Sequence, residues 1–172
     1  MIKQEYTEIK AAEESQLDIL VSQFSPNNPL FQHNRYAVQQ KGEGLYLIAW
    51  KHQTPIGHFL LRWSGPADAP VTKMIDITDR AFLEAGLTIE GYRSRGVGKS
   101  IIREAERLAK EKGCTHIGIE VGVGNPEAKR LYEKLGYEEW EYGEFPISWE
   151  YTDKNGKKGI DSEIVIYMQK NL

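Results

Sequence analysis

Apolar positions recur along the chain with two periods, and the changes of period divide it into elements. Residues 2–9 alternate loosely and predict a first strand. Leu17, Leu20, Val21 and Phe24 fall at i, i+3, i+4 and i+7, so residues 11–24 predict a helix with one apolar face. Glu13 and Glu14 then sit in its first turn, where the helix dipole favours acids. Ser25-Pro26-Asn27-Asn28-Pro29 ends it, and residues 30–40 predict a shorter second helix stopped by Gly42 and Gly44. Residues 45–50 and 56–63 are apolar runs joined by a short polar link, an antiparallel hairpin. Residues 64–80, with Gly65, Pro66 and Pro70, read as a loop. Residues 81–89 predict a strand, and Gly86 in its middle signals a bulge or a close approach to the backbone.

In the second half the periods are clearer. Ile101, Ala105 and Leu108 form one stripe of a helix over residues 101–112, with Gly113 as its stop. Residues 116–123 alternate: Ile117, Ile119, Val121 and Val123 share one face, His116, Gly118, Glu120 and Gly122 the other. Asn125-Pro126 is an N-cap followed by proline at the first helical position. Ala128, Leu131, Tyr132 and Leu135 give that helix its apolar face, and Gly136 closes it. Residues 137–151 predict an aromatic, acidic strand interrupted near Gly143 and Pro146. Asn155-Gly156 marks a turn, and residues 163–170 form a last strand. The order β-α-α-β-β-β-α-β-α-β-β implies an α/β (α+β) fold with a mixed, mostly antiparallel sheet of about seven strands flanked by helices.

Size and charge narrow the function classes. The 172 residues suit a single domain, 1–172, and 40% hydrophobic with 27% charged residues is ordinary for a globular protein. A net charge of −3 argues against a nucleic-acid partner, and no apolar run reaches the ~20 residues of a membrane span. The N-terminus is polar and lacks a signal-peptide core. The only cysteine, Cys114, excludes an intrachain disulfide and fits a reducing, cytoplasmic location. It precedes an apolar strand and reads as core filler rather than nucleophile. His33, His52, His58 and His116 lack metal-ligand spacing, so no metal is expected.

Candidate chemistry concentrates at Tyr92-Arg93-Ser94-Arg95-Gly96-Val97-Gly98-Lys99-Ser100, a glycine turn between a strand and a helix. Gly96 and Gly98 let the backbone pass close to a ligand. The first amides of the helix lack internal partners, and the dipole adds positive potential. With Arg93, Arg95 and Lys99 this makes an anion site suited to phosphate or pyrophosphate. Gly98-Lys99-Ser100 ends like a P-loop, but that motif needs glycine where Arg93 stands. A dinucleotide fingerprint starting at Gly96 needs glycine where Ile101 stands. What remains is [RQ]-x-x-G-x-[GA], carried by Arg93, Gly96 and Gly98, and a ligand-free strand–helix turn fits the same residues.

The loop resembles the acyl-CoA pyrophosphate loop of the GNAT superfamily of N-acetyltransferases. The run Asn125-Pro126-Glu127-Ala128-Lys129-Arg130-Leu131-Tyr132-Glu133-Lys134-Leu135-Gly136-Tyr137 resembles that superfamily's second signature, N-x-x-A-x-x-L-Y-x-x-x-G-[FY]. The resemblance covers residues 81–137 and implies the GNAT fold, with acetyl-CoA as co-substrate. It implies transfer of an acetyl group to a primary amine by direct attack, without a covalent enzyme intermediate. The pyrophosphate would lie on Arg93, Ser94, Arg95, Gly96, Val97, Gly98, Lys99 and Ser100. The pantetheine arm would run between two splayed strands, against the backbone of Leu87, Thr88 and Ile89. Asn125 would cap its helix and contact that arm. Tyr132 would contact the cofactor and protonate the departing thiolate, the alternative being a core tyrosine.

The attacking amine needs a base, for which Glu120 is the first candidate and Glu84 the second. A carboxylate facing solvent or an arginine is the alternative for each. The acceptor would be a small-molecule amine or a protein N-terminus or lysine, and the resemblance allows a homodimer. Residues 137–151, with Glu138, Glu139, Glu141, Glu144, Glu150 and the aromatics Trp140, Tyr142, Phe145 and Trp149, would form with residues 26–40 the rim of an amine pocket. The rival functions are a non-catalytic acyl-CoA-binding sensor or interaction module of the same fold, and nucleotide hydrolysis at Gly98-Lys99-Ser100.

Overall fold

The alternating segments pair into one seven-stranded sheet, ordered β1-β2-β3-β4-β5-β7-β6. The computed structural model describes residues 7–172, so residues 2–6 of the expected first strand lie outside the described residues. The strands are β1 (Glu8–Ala11), β2 (Gly44–Lys51), β3 (Thr54–Arg62), β4 (Arg80–Thr88), β5 (His116–Gly122), β6 (Glu138–Thr152) and β7 (Lys158–Asn171). The helices are α1 (Leu17–Phe24), α2 (Pro29–Gln40), α3 (Ala69–Met74), α4 (Val97–Lys112) and α5 (Pro126–Lys134). Among the described residues only β4 and β5 are parallel, and every other neighbouring pair is antiparallel.

Period-2 alternation sorts the side chains onto two faces. On one, Tyr46, Ile48, Trp50 and Leu60 pack with Leu20 beneath α1 and α2. On the other, Leu47, Ala49, Leu61 and Leu83 meet the stripe Ile101, Ile102, Ala105 and Ala109 of α4, all fully or almost fully buried. Each isoleucine buried this way contributes about 1.5–3 kcal/mol. Cys114 is buried as expected, its Sγ 3.8 Å from the Trp63 carbonyl oxygen. Among the described residues no helix is long and apolar enough to cross a membrane.

Four boundaries differ from the pattern reading. The first helix starts at Leu17, because Ala11 ends β1 and the Ala12 N–H extends the ladder to the Tyr46 carbonyl at 2.7 Å. A short 3-10 turn, Glu14–Gln16, with a capping box from Glu13, fills the gap. The expected loop at 64–80 contains α3: Pro70 falls in its first turn, where proline costs no hydrogen bond, and Val71 is fully buried. The helix after the glycine turn begins at Val97 rather than 101. β7 begins at Lys158 rather than 163, since it pairs with β6 up to the Asn155-Gly156 turn.

Candidate functional site

β4 and β5 pair only from Arg80↔His116 to Leu83↔Ile119. Beyond that both strands continue without each other, β4 along β3 and β5 along β7. β4 bends away through a bulge: Leu60 faces Glu84 but His58 faces Leu87, with Ala85 at a φ of 48°. The Phe59 ring lies against Gly86, where an added Cβ would collide with its Cζ. Gly86 therefore marks both a bulge and a close approach. The gap between the strands is a cavity of about 490 Å³.

On the face that carries α2, the cavity is lined by carboxyl groups. Glu84 accepts Arg62 Nε at 2.9 Å and Arg35 Nη1 at 3.4 Å. Arg35 is buried on α2, its guanidinium 3.9 Å above the Phe31 ring. Glu84 thus has the arginine partners that were the alternative to a base role. Glu120 stands on the same face of β5, with no such cation. Burial first, then the neighbouring Asp68 and Glu84 carboxylates, push its carboxyl up to about 9. Its Oε1 is buried and has no hydrogen-bond partner among the described residues.

The opposite face belongs to α5. Asn125 caps this helix, its Oδ1 accepting the Ala128 N–H at 3.1 Å. Asn125, Ala128 and Tyr132 all line the cavity. The Tyr132 ring packs against Tyr137, 6.2 Å between centroids, and burial pushes its hydroxyl up to about 12. It stays protonated at neutral pH and can donate. Gly98 joins this face to the anion loop: a Cβ there would lie 4.0 Å from Leu131 Cδ2 and from Thr88 Oγ1.

The loop itself enters α4 through Gly96, the N-cap, at a φ of 83° that disfavours side chains. No side chain caps the helix, and a Cβ on Gly96 would meet nothing within 4 Å. The first amides of α4 thus have no side-chain cap, and Arg95 and Lys99 flank them in sequence. Arg93 is partly committed, its Nε donating to the Thr88 carbonyl at 3.1 Å. The Ser100 hydroxyl turns back on its own helix, donating to the Gly96 carbonyl at 3.0 Å. Leu87 and Thr88 belong to the splayed part of β4. The Ile89 N–H is already given to the Ile56 carbonyl at 3.0 Å, so it cannot also serve a ligand.

The pattern reading missed part of the cavity wall. Asp68 lies in a segment whose pattern predicts only a loop, and Arg35, although within the expected rim segment 26–40, carries no sequence signal of its own. Glu163 of β7 also lines the cavity, its Oε1 lying where a Cβ on Gly122 would stand. Both segments expected at the rim reach the cavity, through Phe31 and Arg35 of residues 26–40 and Ile147, Ser148 and Trp149 of residues 137–151, but the glutamates of residues 137–151 do not line it. Trp140 and Phe145 are buried in the core. The cavity's acids come from four other places, Asp68, Glu84, Glu120 and Glu163.

A sequence model described as the acetyltransferase (GNAT) family matches residues 11–137. The chain belongs to the GNAT acetyltransferase family. An aminoglycoside N(6')-acetyltransferase type 1 from Salmonella typhimurium is 30% identical over 66 residues, 38% of this chain and 46% of that protein. The match therefore spans less than half of that relative's length. A crystal structure of a ribosomal-protein-alanine N-acetyltransferase from Brucella melitensis superposes with a TM-score of 0.69 at 17% identity, over 96% of this chain and 99% of that one. A GNAT phosphinothricin acetyltransferase from Sinorhizobium meliloti, in complex with AcCoA, gives 0.68 at 14% identity over 96% and 88%. These two likenesses carry the GNAT fold. The GNAT family uses acetyl-CoA, and this GNAT chain has features that fit it: uncapped amides and cations for a pyrophosphate, and an unpaired strand edge for an amide-rich arm.

Proposed function

We propose that the protein transfers an acetyl group from acetyl-CoA to a primary amine. The observation that carries this reading is the gap beyond Leu83↔Ile119, which has Tyr132 on one side of the sheet and Glu120 on the other. Acetyl-CoA, held by residues 94–99 and the β4 edge, supplies an activated thioester. The acceptor enters from the α2 face as an ammonium, which has no lone pair until it gives up a proton. Glu120 takes that proton: an ammonium beside it favours the ionised carboxylate that burial otherwise disfavours. The amine nitrogen then bonds to the acetyl carbon as the carbon–sulfur bond breaks. Tyr132, protonated at neutral pH, gives its proton to the departing sulfur, and the second N–H proton, shed to solvent as the amide forms, balances the one that solvent returns to Tyr132. Glu84, held by Arg35 and Arg62, keeps the α2 face in place.

The acceptor is an amine of small-molecule or protein origin. The names of the relatives, an aminoglycoside acetyltransferase and a ribosomal-protein-alanine acetyltransferase, support that range. The test is to mix the protein with acetyl-CoA and a panel of diamines, aminosugars and peptides, and to follow acetylated amine by mass spectrometry. Acetylated product that depends on the protein is expected. Tight CoA binding without transfer to any amine would contradict the reading.

A further inference from the structure

The surroundings of Glu120 point to a second residue, on the reading that Glu120 takes the acceptor's proton. Asp68 is the N-cap of α3, where an aspartate ordinarily accepts a hydrogen bond from its own helix. Here its side chain makes no cap. Its backbone carbonyl is used instead, accepting the Thr72 N–H at 3.0 Å and the Thr72 hydroxyl at 3.2 Å. Asp68 and Glu120 line the same cavity, and their carboxyl groups lie close enough for each to act on the other's charge. Two carboxyl groups so placed in a half-buried site disfavour double ionisation, so one of them keeps a proton.

We propose that Asp68 is a positioning residue that acts through Glu120. Its carboxylate, lining the same cavity as Glu120, makes Glu120 a stronger base for an incoming ammonium. A carboxylate of ordinary strength is several powers of ten too weak to take a proton from an alkylammonium. Glu120, raised by burial, by Asp68 and by Glu84, comes much closer to matching it. As the ammonium enters, Glu120 gives its own proton to solvent, and the ionised carboxylate then takes one N–H proton from R–NH3+. This leaves R–NH2 with its lone pair and Glu120 as the neutral acid, and the proton later passes to solvent.

The other groups around the pair do not offset Asp68. Glu84 of β4 adds negative charge, although Arg35 of α2 and Arg62 of β3 are directed at it. Tyr167 of β7 is the register partner of Glu120, and Glu163 stands farther along the same strand. Tyr132 faces the cavity from α5.

The experiment compares wild type with Asp68→Asn and Asp68→Glu. Two readouts are taken: the carbon-13 titration of the Glu120 carboxyl, identified by its loss in Glu120→Gln, and the pH profile of kcat/KM. In Asp68→Asn the Glu120 midpoint falls by about a pH unit or more. The acid limb of kcat/KM moves the same way, and the rate above it drops because the base is weaker. Asp68→Glu restores most of both. An unmoved Glu120 midpoint, or a loss of rate uniform across pH, would overturn the proposal. If wild type acetylates no amine, the base role itself falls, and the carboxyl titration shows separately whether the coupling exists.

Discussion

Leu83 on β4 and Ile119 on β5 are the last partners before the two strands part, and the residue after each is a glutamate. The parallel pairing thus ends between Glu84 and Glu120. One of the two is tied to a pair of arginines, the other carries a buried oxygen without a hydrogen-bond partner among the described residues. That difference assigns them different work.

Glu84 should behave as structure. Glu84→Gln removes the carboxylate that Arg35 and Arg62 share, leaving a buried guanidinium without its counter-charge. Stability should fall by about 1–3 kcal/mol, while turnover stays within severalfold of wild type. Denaturant unfolding and steady-state kinetics check both. A hundredfold loss of turnover without loss of stability would move the base to Glu84.

Glu120 should leave a signature in stability against pH. Its folded-state value, about 9, lies above the ordinary glutamate value of 4.5, so the native state holds a proton that the unfolded chain has released. The stability this gives is fully present below the unfolded value and is lost as pH rises through the folded one. Wild type should therefore lose thermal stability from mildly acid conditions up to about pH 9, and Glu120→Gln should flatten that slope. Equal slopes in the two proteins would contradict the assigned environment. His58 acts in the opposite direction. Buried among Phe24, Phe31 and Tyr46 and lowered to about 3, it stays neutral, and its contribution is lost as pH falls below the ordinary histidine range.

Gly98 separates a fold requirement from a ligand requirement. A Cβ there touches the protein only at ordinary contact distance, and alanine is the better helix former. Gly98→Ala should leave the melting temperature unchanged or slightly higher while weakening CoA binding about tenfold or more. Calorimetric titration with CoA decides it. Unchanged affinity would remove Gly98 from the cofactor site.

Gly86 is the reverse case. Alanine there collides with the Phe59 ring, which packs in the core and lines the cavity. Gly86→Ala should cost about 1–3 kcal/mol of stability and also raise the acceptor KM, because the ring must shift. A variant as stable as wild type would show that the ring is free to move.

The sheet, its order of elements and the two motif-bearing helices were legible because alternation, an N-cap and glycine stops are local signals. So were Tyr132 and Asn125, fixed on one short helix. Two things were not. A six-residue helix such as α3 is too short to show a period, so Asp68 passed as loop. Alternation also gives a side but not a neighbour. It put Glu84 and Glu120 on the polar faces of their strands, but only the end of the β4–β5 pairing shows that they flank one gap. The glutamates of residues 137–151 misled for the same reason, because composition suggested a pocket where β6 turns other residues inward.

The most direct test of the account is a crystal structure with CoA bound. The account predicts the pyrophosphate on the first turn of α4 and the arm along the open edge of β4. It also predicts the sulfur within hydrogen-bonding reach of the Tyr132 hydroxyl, with Glu120 across the gap. CoA bound with its sulfur away from Tyr132, or outside the gap that opens after Leu83 and Ile119, would contradict it.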